Sequence, residues 1–341
     1  MAHPPLRIGI LGTAKIARLF VEGLAGTSAV RVDAVASRSA EAAQAFAAEL
    51  AIPRAVAGYD ALLADRELDG IYIPLPNSLH APWCERALRA GLHVLCEKPL
   101  TLTLAEARRL FDVARETGRV LLEAYPYRYQ PQMQALRRLV GEGAIGGVRL
   151  VQASIGFTIS QGPNIRLDPE LGGGAMFDAG CYAVSFARLA VGRRPLEVSA
   201  QARWAGTGVD IGMTGTIRYD GGAQAQVACA MDAAQHRVAL VVGTQGVIET
   251  GFLNHTAAER PGILHVRHGV TSDHPIETLR FEDGNGFRLE AEHFAQRVRS
   301  GNVLDDDDRQ SLENMATLEA LVRSAREGRV VTVEDTGADG R

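Results

Sequence analysis

Over the first 123 residues, short apolar runs alternate with amphipathic stretches, and that alternation predicts strand–helix–strand units. Leu6–Leu11, Val30–Ser37, Gly70–Pro74, Leu92–Cys96 and Arg119–Glu123 have strand length and nearly continuous apolar character. Between them a first stretch runs to about Ala25, followed by Ala40–Leu50, Ser78–Ala90 and Leu104–Thr117, all with helical spacing. Strands apolar on both faces belong to a parallel sheet covered on both sides. After a helix near Pro131–Val140 the period shortens to two. Val148–Phe157, Glu197–Trp204, Gly212–Tyr219, Ala223–Asp232, Arg237–Gly243 and Gly246–Thr250 alternate apolar with polar, with turns such as Asp220-Gly221-Gly222 between them. The expected fold is an α/β doubly wound parallel sheet over residues 1–123 and an α+β second domain over residues 124–341, built on a mostly antiparallel open sheet. Val227, Val241 and Val247 are expected on the open face of that sheet. A final helix, Asp308–Arg326, is free to pack back on the first domain and precedes a frayed polar tail; the acidic run Asp305–Asp308 reads as its solvated start.

Chemistry-bearing residues fall at the ends of the first-domain strands, where open α/β sheets bind ligands. Gly9-Ile10-Leu11-Gly12-Thr13-Ala14-Lys15-Ile16-Ala17 joins the first strand to the first helix. Set against the Rossmann pattern GxGxxG/A, it supplies Gly12 for the tight turn and Ala17 for close helix–strand packing. Ala14 stands where glycine usually lets the backbone approach a pyrophosphate. Residues Gly12 to Ile16 are the candidate phosphate loop, with unpaired N–H groups at the helix start. The second strand ends Ser37-Arg38-Ser39 and has no carboxylate to meet a ribose 2′-hydroxyl. A hydroxyl beside a guanidinium suits a phosphate, which favours NADP over NAD; the plain alternative is a solvated loop with Ser39 capping a helix. The fourth strand ends Glu97-Lys98-Pro99. Taken alone that is a surface tripeptide, but at this strand end the proline would hold Lys98 in one conformation and fix where its ammonium points.

Composition removes several classes of function. The net charge of −4 leaves no footprint for nucleic acid or an acidic membrane. No apolar run approaches the roughly 20 residues that span a bilayer. The four cysteines, Cys84, Cys96, Cys181 and Cys229, show no metal-binding spacing, and the first residues lack a signal-peptide pattern. A reducing cytoplasm and no metal are the expectations.

Pro74-Leu75-Pro76-Asn77-Ser78-Leu79-His80, Glu97-Lys98-Pro99 and the glycine-poor phosphate loop together resemble the glucose–fructose oxidoreductase / inositol dehydrogenase (Gfo/Idh/MocA) family over almost the whole chain. The resemblance implies NAD(P) on the first domain and a sugar presented by the second. It implies that Leu75, Pro76, Asn77 and His80 lie along the nicotinamide and ribose, with His80 starting a helix. Gly172-Gly173-Gly174-Ala175-Met176-Phe177-Asp178-Ala179-Gly180-Cys181-Tyr182 looks like the family's Asp-x-x-x-His/Tyr signature. On a helix, that spacing would put Asp178 and Tyr182 on one face. Tyrosine in place of histidine points to the branch of pyranose dehydrogenases, aldose–aldose oxidoreductases and keto-sugar reductases. Arg166 is similar to a residue that approaches cofactor or sugar in that branch. Tyr125, Tyr127 and Arg128 follow the fifth strand and are expected in the cleft floor, suited either to sugar stacking or to simple packing.

The mechanism implied is hydride transfer with Tyr182 as acid/base. A free tyrosine titrates near about 10, and the Lys98 ammonium would favour its phenolate while polarising the substrate oxygen. Asp178 would bind a neighbouring hydroxyl and orient Lys98, and Glu97 would brace the loop. The leading substrate is a free aldose oxidised at C1, or a lactone or second sugar reduced, with tightly held NADP(H) marking sugar–sugar oxidoreduction. The alternatives are a keto-sugar or nucleotide-linked keto-sugar reductase, a dihydrodiol-type dehydrogenase, and, from another class, a non-catalytic NADP-sensing regulator. In relatives the open sheet pairs subunits, so a homodimer or homotetramer is expected.

Overall fold

The computed structural model describes residues 3–160, 162–256 and 259–337. The chain forms two compact units, one from residues 1–101, 105–126 and 285–311, the other from 102–104, 127–284 and 312–341. Residues 285–311, which the sequence pattern left with the second domain, thus belong to the first unit.

The first unit is built on six parallel strands: β1 (Leu6–Leu11), β2 (Val30–Ser37), β3 (Arg54–Ala57), β4 (Gly70–Ile73), β5 (His93–Glu97) and β6 (Leu121–Ala124). Their order, β3-β2-β1-β4-β5-β6, reverses direction beside β1, as in doubly wound dinucleotide-binding folds. The edge strand β3 is the one the sequence pattern missed, because Arg54-Ala55-Val56-Ala57 is too short and too polar on one face to read as a strand. Helices α1 (Lys15–Gly23), α2 (Ala40–Glu49), α3 (Tyr59–Leu63), α4 (His80–Arg89) and α5 (Leu104–Thr117) connect the strands. Phe20 of α1 and Tyr72 of β4 stack at 4.1 Å in a core shared with Ile8 and Leu122.

Further along the chain, α8 (Gly286–Ser300) completes this core with Phe287, Ala291, Phe294 and Ala295. A Cβ on Gly23 would lie 2.7 Å from that of Phe287, so the closeness of α1 and α8 depends on glycine there. The acidic run is not a solvated helix start. Asp305 accepts from the Asp307 amide (2.9 Å), and Asp308, 5% exposed, receives both terminal nitrogens of buried Arg297. Desolvation, opposed by Arg297, raises the Asp308 carboxyl to about 6.

The second unit holds a nine-stranded sheet and α6 (Pro131–Gly141). Its strands are β7 (Val148–Thr158), β8 (Pro195–Trp204), β9 (Asp210–Tyr219), β10 (Gln224–Ala230), β11 (Asp232–Gly243) and β12 (Gly246–Thr250), with three more downstream. Beyond the short β13 (His255–Thr256) come β14 (Gly262–His268) and β15 (Ile276–Phe281), then the short β16 (Gly284–Asn285). The last member, β17 (Val331–Thr332), lies in the tail expected to fray; it pairs with β8 and buries Val331 and Val333. Among the described residues, only β10 and β7 run parallel within the sheet.

α7 (Cys181–Val191) packs on β7 and β10, and its Arg188 forms a buried ion pair with Glu313 of α9 (Asp306–Glu327). Val227 and Val241 are 2% and 0% exposed, which corrects their expected place on the open face. That face instead carries a hollow of about 1070 Å³ lined by residues such as Gln152, Ser154, Thr214, Thr216, Gln226 and Leu240. No helix among the described residues is long and apolar enough to cross a membrane.

Candidate active site

In the first unit the candidate residues sit at strand ends, and the backbone fixes them. Gly12 takes a φ of +104°, open to glycine at low cost, and donates to the Ala36 carbonyl (2.7 Å). Any side chain there would meet Leu75, since a Cβ would come within 3.1 Å of its Cδ2. Ala14 takes the N-cap place of α1 in extended conformation and supplies no capping side chain. Among the described residues no side chain caps the start of α1, which leaves the first amides of the helix, at Lys15 and Ile16, uncapped. That is the arrangement an anion needs. At the end of β2, Ser37 is buried and Arg38 exposed, while Ser39 caps α2 by accepting from the Ala42 amide (3.2 Å). Tyr59 is a residue that local reading did not single out. Its hydroxyl lies 3.7 Å from a Cβ built on Gly12, and the Arg38 charge acts on it against the upward push of burial.

His80 opens α4 and is 1% exposed. Its ring nitrogens lie 2.7 Å from the Pro99 carbonyl and 2.8 Å from that of Leu75, which ties the loop after β4 to the loop after β5. Burial pushes its pKa down to about 4, so the neutral ring donates to one of these carbonyls. Glu97, 6% exposed, accepts from the Tyr72 hydroxyl (2.7 Å) and from the Lys98 amide (3.3 Å). Buried Glu123 accepts from the Leu100 amide (2.9 Å), and Lys98 stands half-buried between these two anchors.

In the second unit, Gly173 and Gly174 donate to the carbonyls of Asp168 and Arg166 (both 2.9 Å). A Cβ on Gly173 would come within 2.8 Å of the Asp168 carbonyl oxygen, and one on Gly174 would run into Asp210. Asp210 in turn accepts from the Met176 amide (2.7 Å). The residues Met176–Gly180 wind as a π-helix and α7 begins only at Cys181, so the one-face geometry of a regular helix does not describe Asp178 and Tyr182. Arg166 Nε donates to Asp178 Oδ2 at 2.6 Å, pairing two residues expected separately at cofactor and substrate.

Tyr182 is 5% exposed, and its Oη accepts from Asn254 Nδ2 (3.1 Å). Arg237 lies over its ring face, 5.2 Å from the centroid, and Tyr127 packs at 5.8 Å. Tyr127, expected in the cleft floor, is 0% exposed and donates to Ser185 Oγ (2.8 Å), and burial pushes its phenol well up. Tyr125 and Arg128 are buried as well. Asn254, 72 positions from Tyr182, Arg237 and Asp210 have no local signal that would single them out.

Family models match both parts of the chain. One described as "Oxidoreductase family, NAD-binding Rossmann fold" covers residues 6–125, and the GFO/IDH/MocA C-terminal domain covers residues 133–249. The chain belongs to the Gfo/Idh/MocA oxidoreductase family. Within it, the chain is 37% identical to D-xylose 1-dehydrogenase (NADP(+)) 2 of Haloferax volcanii, over 96% of this chain and all of that one. Among solved structures it is similar to a 3-ketoreductase from Actinomadura kijaniata in complex with NADP and TDP-benzene. That match has 32% identity and a TM-score of 0.87, covering 94% of this chain and 98% of that chain. It is also similar to an aldose-aldose oxidoreductase from Caulobacter crescentus complexed with glycerol, with 28% identity and a TM-score of 0.87, covering 96% and 99%. The Gfo/Idh/MocA fold accounts for the six-stranded parallel sheet and the mixed sheet alike.

Proposed function

We propose that this Gfo/Idh/MocA oxidoreductase uses NADP(H) to interconvert a sugar alcohol group and its carbonyl. The main reading is oxidation of an aldose at C1 or reduction of a lactone or second sugar; the similarity to a 3-ketoreductase favours reduction of a keto-sugar as the second reading. Lys98 and Tyr182 act on the reacting oxygen. The observation that carries the assignment is a spacing. The related 3-ketoreductase has been crystallised as variants with a lysine replaced and with a tyrosine replaced. Those two positions lie as far apart in that chain as Lys98 and Tyr182 do in this one.

The residues present fit NADP. The uncapped start of α1 suits a pyrophosphate, Gly12 makes the tight turn that leads the chain into it, and exposed Arg38 at the end of β2 suits a 2′-phosphate. Leu75, Pro76, Asn77 and His80 then line the cofactor. When bound, NADP(H) supplies or accepts the hydride. The chain's own task is to bind the sugar and move one proton at its oxygen. Tyr182 exchanges that proton, and the Lys98 ammonium polarises the oxygen and steadies the charge that develops on it. Asp178, oriented by Arg166, accepts from a neighbouring sugar hydroxyl.

A second copy covering the open face of the nine-stranded sheet, as a homodimer or homotetramer, belongs to the same reading. So does a cytoplasmic setting, which the four buried, unbridged cysteines support. Light scattering on the purified protein tests the assembly. The function is tested by following NADPH at 340 nm with D-xylose, D-glucose and a nucleotide-linked keto-sugar. Turnover of one of them by the wild type, lost in Lys98→Ala, is expected; equal rates in both proteins would remove Lys98 from the chemistry.

A further inference from the structure

We propose that Arg237 and Asn254 are positioning residues that prepare Tyr182 for proton transfer, Arg237 by stabilising its phenolate and Asn254 by fixing the direction of its hydroxyl hydrogen. The proposal rests on the reading of Tyr182 as the acid/base. Arg237 reaches over the ring from β11, with its guanidinium carbon 5.2 Å from the centroid. Among the described residues it has no carboxylate partner; its nitrogen Nη1 donates to the neutral Phe252 carbonyl (3.4 Å). Its charge is therefore not offset by an ion pair of its own. A cation beside a phenol favours the ionised form, most strongly where the ring is screened from water, as this one is.

Asn254 acts at the other end of the side chain. Its amide donates to Tyr182 Oη, so the oxygen's own hydrogen points away from Asn254. The same N–H stays bonded when Oη becomes anionic and then forms the stronger, charge-assisted bond. Asn254 Oδ1 is buried with no hydrogen-bond partner among the described residues. In the reducing direction the Tyr182 O–H bond breaks, a new O–H bond forms on the substrate oxygen, and the phenolate left behind takes a proton from solvent.

The local fold explains why these residues meet. A Cβ on Gly251 would lie 2.8 Å from the Arg237 carbonyl oxygen, so only glycine lets the segment after β12 pass this close to β11. Phe252 then stacks on Phe186 of α7 (5.3 Å), which brings Asn254 to Tyr182. Tyr127, under the influence of Arg128, also packs against Tyr182, and Asp178 and Cys181 precede it on the same helical stretch. Of these Asp178 opposes the phenolate, and Arg166 pairs with it.

The test is a tyrosinate absorbance titration of the full-length protein. The chain has 7 tyrosines, so subtracting the Tyr182→Phe variant in each background isolates Tyr182. Burial alone raises a phenol, so the effect of Arg237 and Asn254 is read as the lowering of the Tyr182 midpoint in the wild type relative to the variants. Arg237→Leu and Asn254→Asp should each raise the midpoint by about one pH unit, and Arg237→Lys should restore it. A midpoint in Arg237→Leu equal to the wild type overturns the proposal, as does a wild-type Tyr182 that stays neutral until alkaline unfolding. Turnover of Tyr182→Phe with NADP+ and an aldose panel is measured in parallel. Normal turnover removes the acid/base reading itself, whereas an inactive Tyr182→Phe with an unmoved titration removes only the roles of Arg237 and Asn254.

Discussion

The two units hold their candidate chemistry by different means. In the first, the phosphate loop, the His80 loop and Lys98 each follow directly from the strand that presents them, and backbone groups do most of the holding. Gly12 bonds to Ala36, and His80 to the carbonyls of Leu75 and Pro99. In the second unit, Asp178 and Tyr182 are held by side chains that arrive from elsewhere in the chain: Arg166, Asn254, Arg237 and Tyr127. A doubly wound sheet supplies a site by topology, because every crossover ends at the same edge. A mixed sheet supplies only a platform, and the site must be assembled on it contact by contact.

That contrast can be broken experimentally. The largest effect is expected at Lys98. Lys98→Ala should lower kcat by about a thousandfold, in the range of general acid–base and electrostatic effects, while NADPH still binds by fluorescence titration. Loss of NADPH binding of the same size would instead make Lys98 a cofactor anchor.

His80 comes next and concerns stability. Its pKa is about 4 in the folded chain against an ordinary 6.5, so below pH 6.5 the unfolded chain takes up a proton that the folded chain refuses. The stability this residue contributes is whole above pH 6.5 and falls as pH drops toward 4, by about 3 kcal/mol in all. Urea midpoints measured across that range should fall accordingly, and less steeply in His80→Gln; identical slopes would show that His80 does not carry the effect.

A smaller effect is expected at Arg38. Arg38→Ala should weaken NADP+ binding by about 10- to 100-fold and leave NAD+ binding nearly unchanged, the difference one charge-assisted phosphate contact makes. Equal weakening of both cofactors would deny it the 2′-phosphate. The smallest is Ser185→Ala, which removes the acceptor of the buried Tyr127 hydroxyl and should cost about 1–3 kcal/mol in a denaturant titration. A change below the resolution of that titration would mean that Tyr127 finds another partner.

What could be read in advance follows the same divide. The first unit's strands and helices are nearly continuous apolar runs and amphipathic stretches, so β1, β2, α2 and α5 fall where the pattern places them. Its misses are the short edge strand β3, the short helix α3 after it, and α8, whose apolar residues lie far along the chain from the core they join. In the second unit alternation located β7 to β12 but assigned the wrong face to Val227 and Val241. Both faces of a strand alternate, and periodicity alone does not say which one is covered. Lys98 could be singled out because a charge after a buried strand is out of place. Asn254 and Arg237 could not, since an asparagine in a loop and an arginine in a strand are ordinary locally and acquire a role only through Tyr182. The ion pair of Arg166 with Asp178 is likewise a matter of three dimensions.

The place of α8 bears on how such a chain is made. All six strands of the parallel sheet have been synthesised by residue 124, yet Phe287 and Phe294 are part of the same core as Phe20 and Tyr72. A ribosome must therefore add more than a hundred further residues, the whole of the mixed sheet except its last strand, before the dinucleotide-binding half can close. A gene fragment ending at the apparent boundary would leave an apolar groove beside α1. Expression of the first half alone should give a protein prone to aggregate, and grafting residues 285–311 onto it should restore solubility.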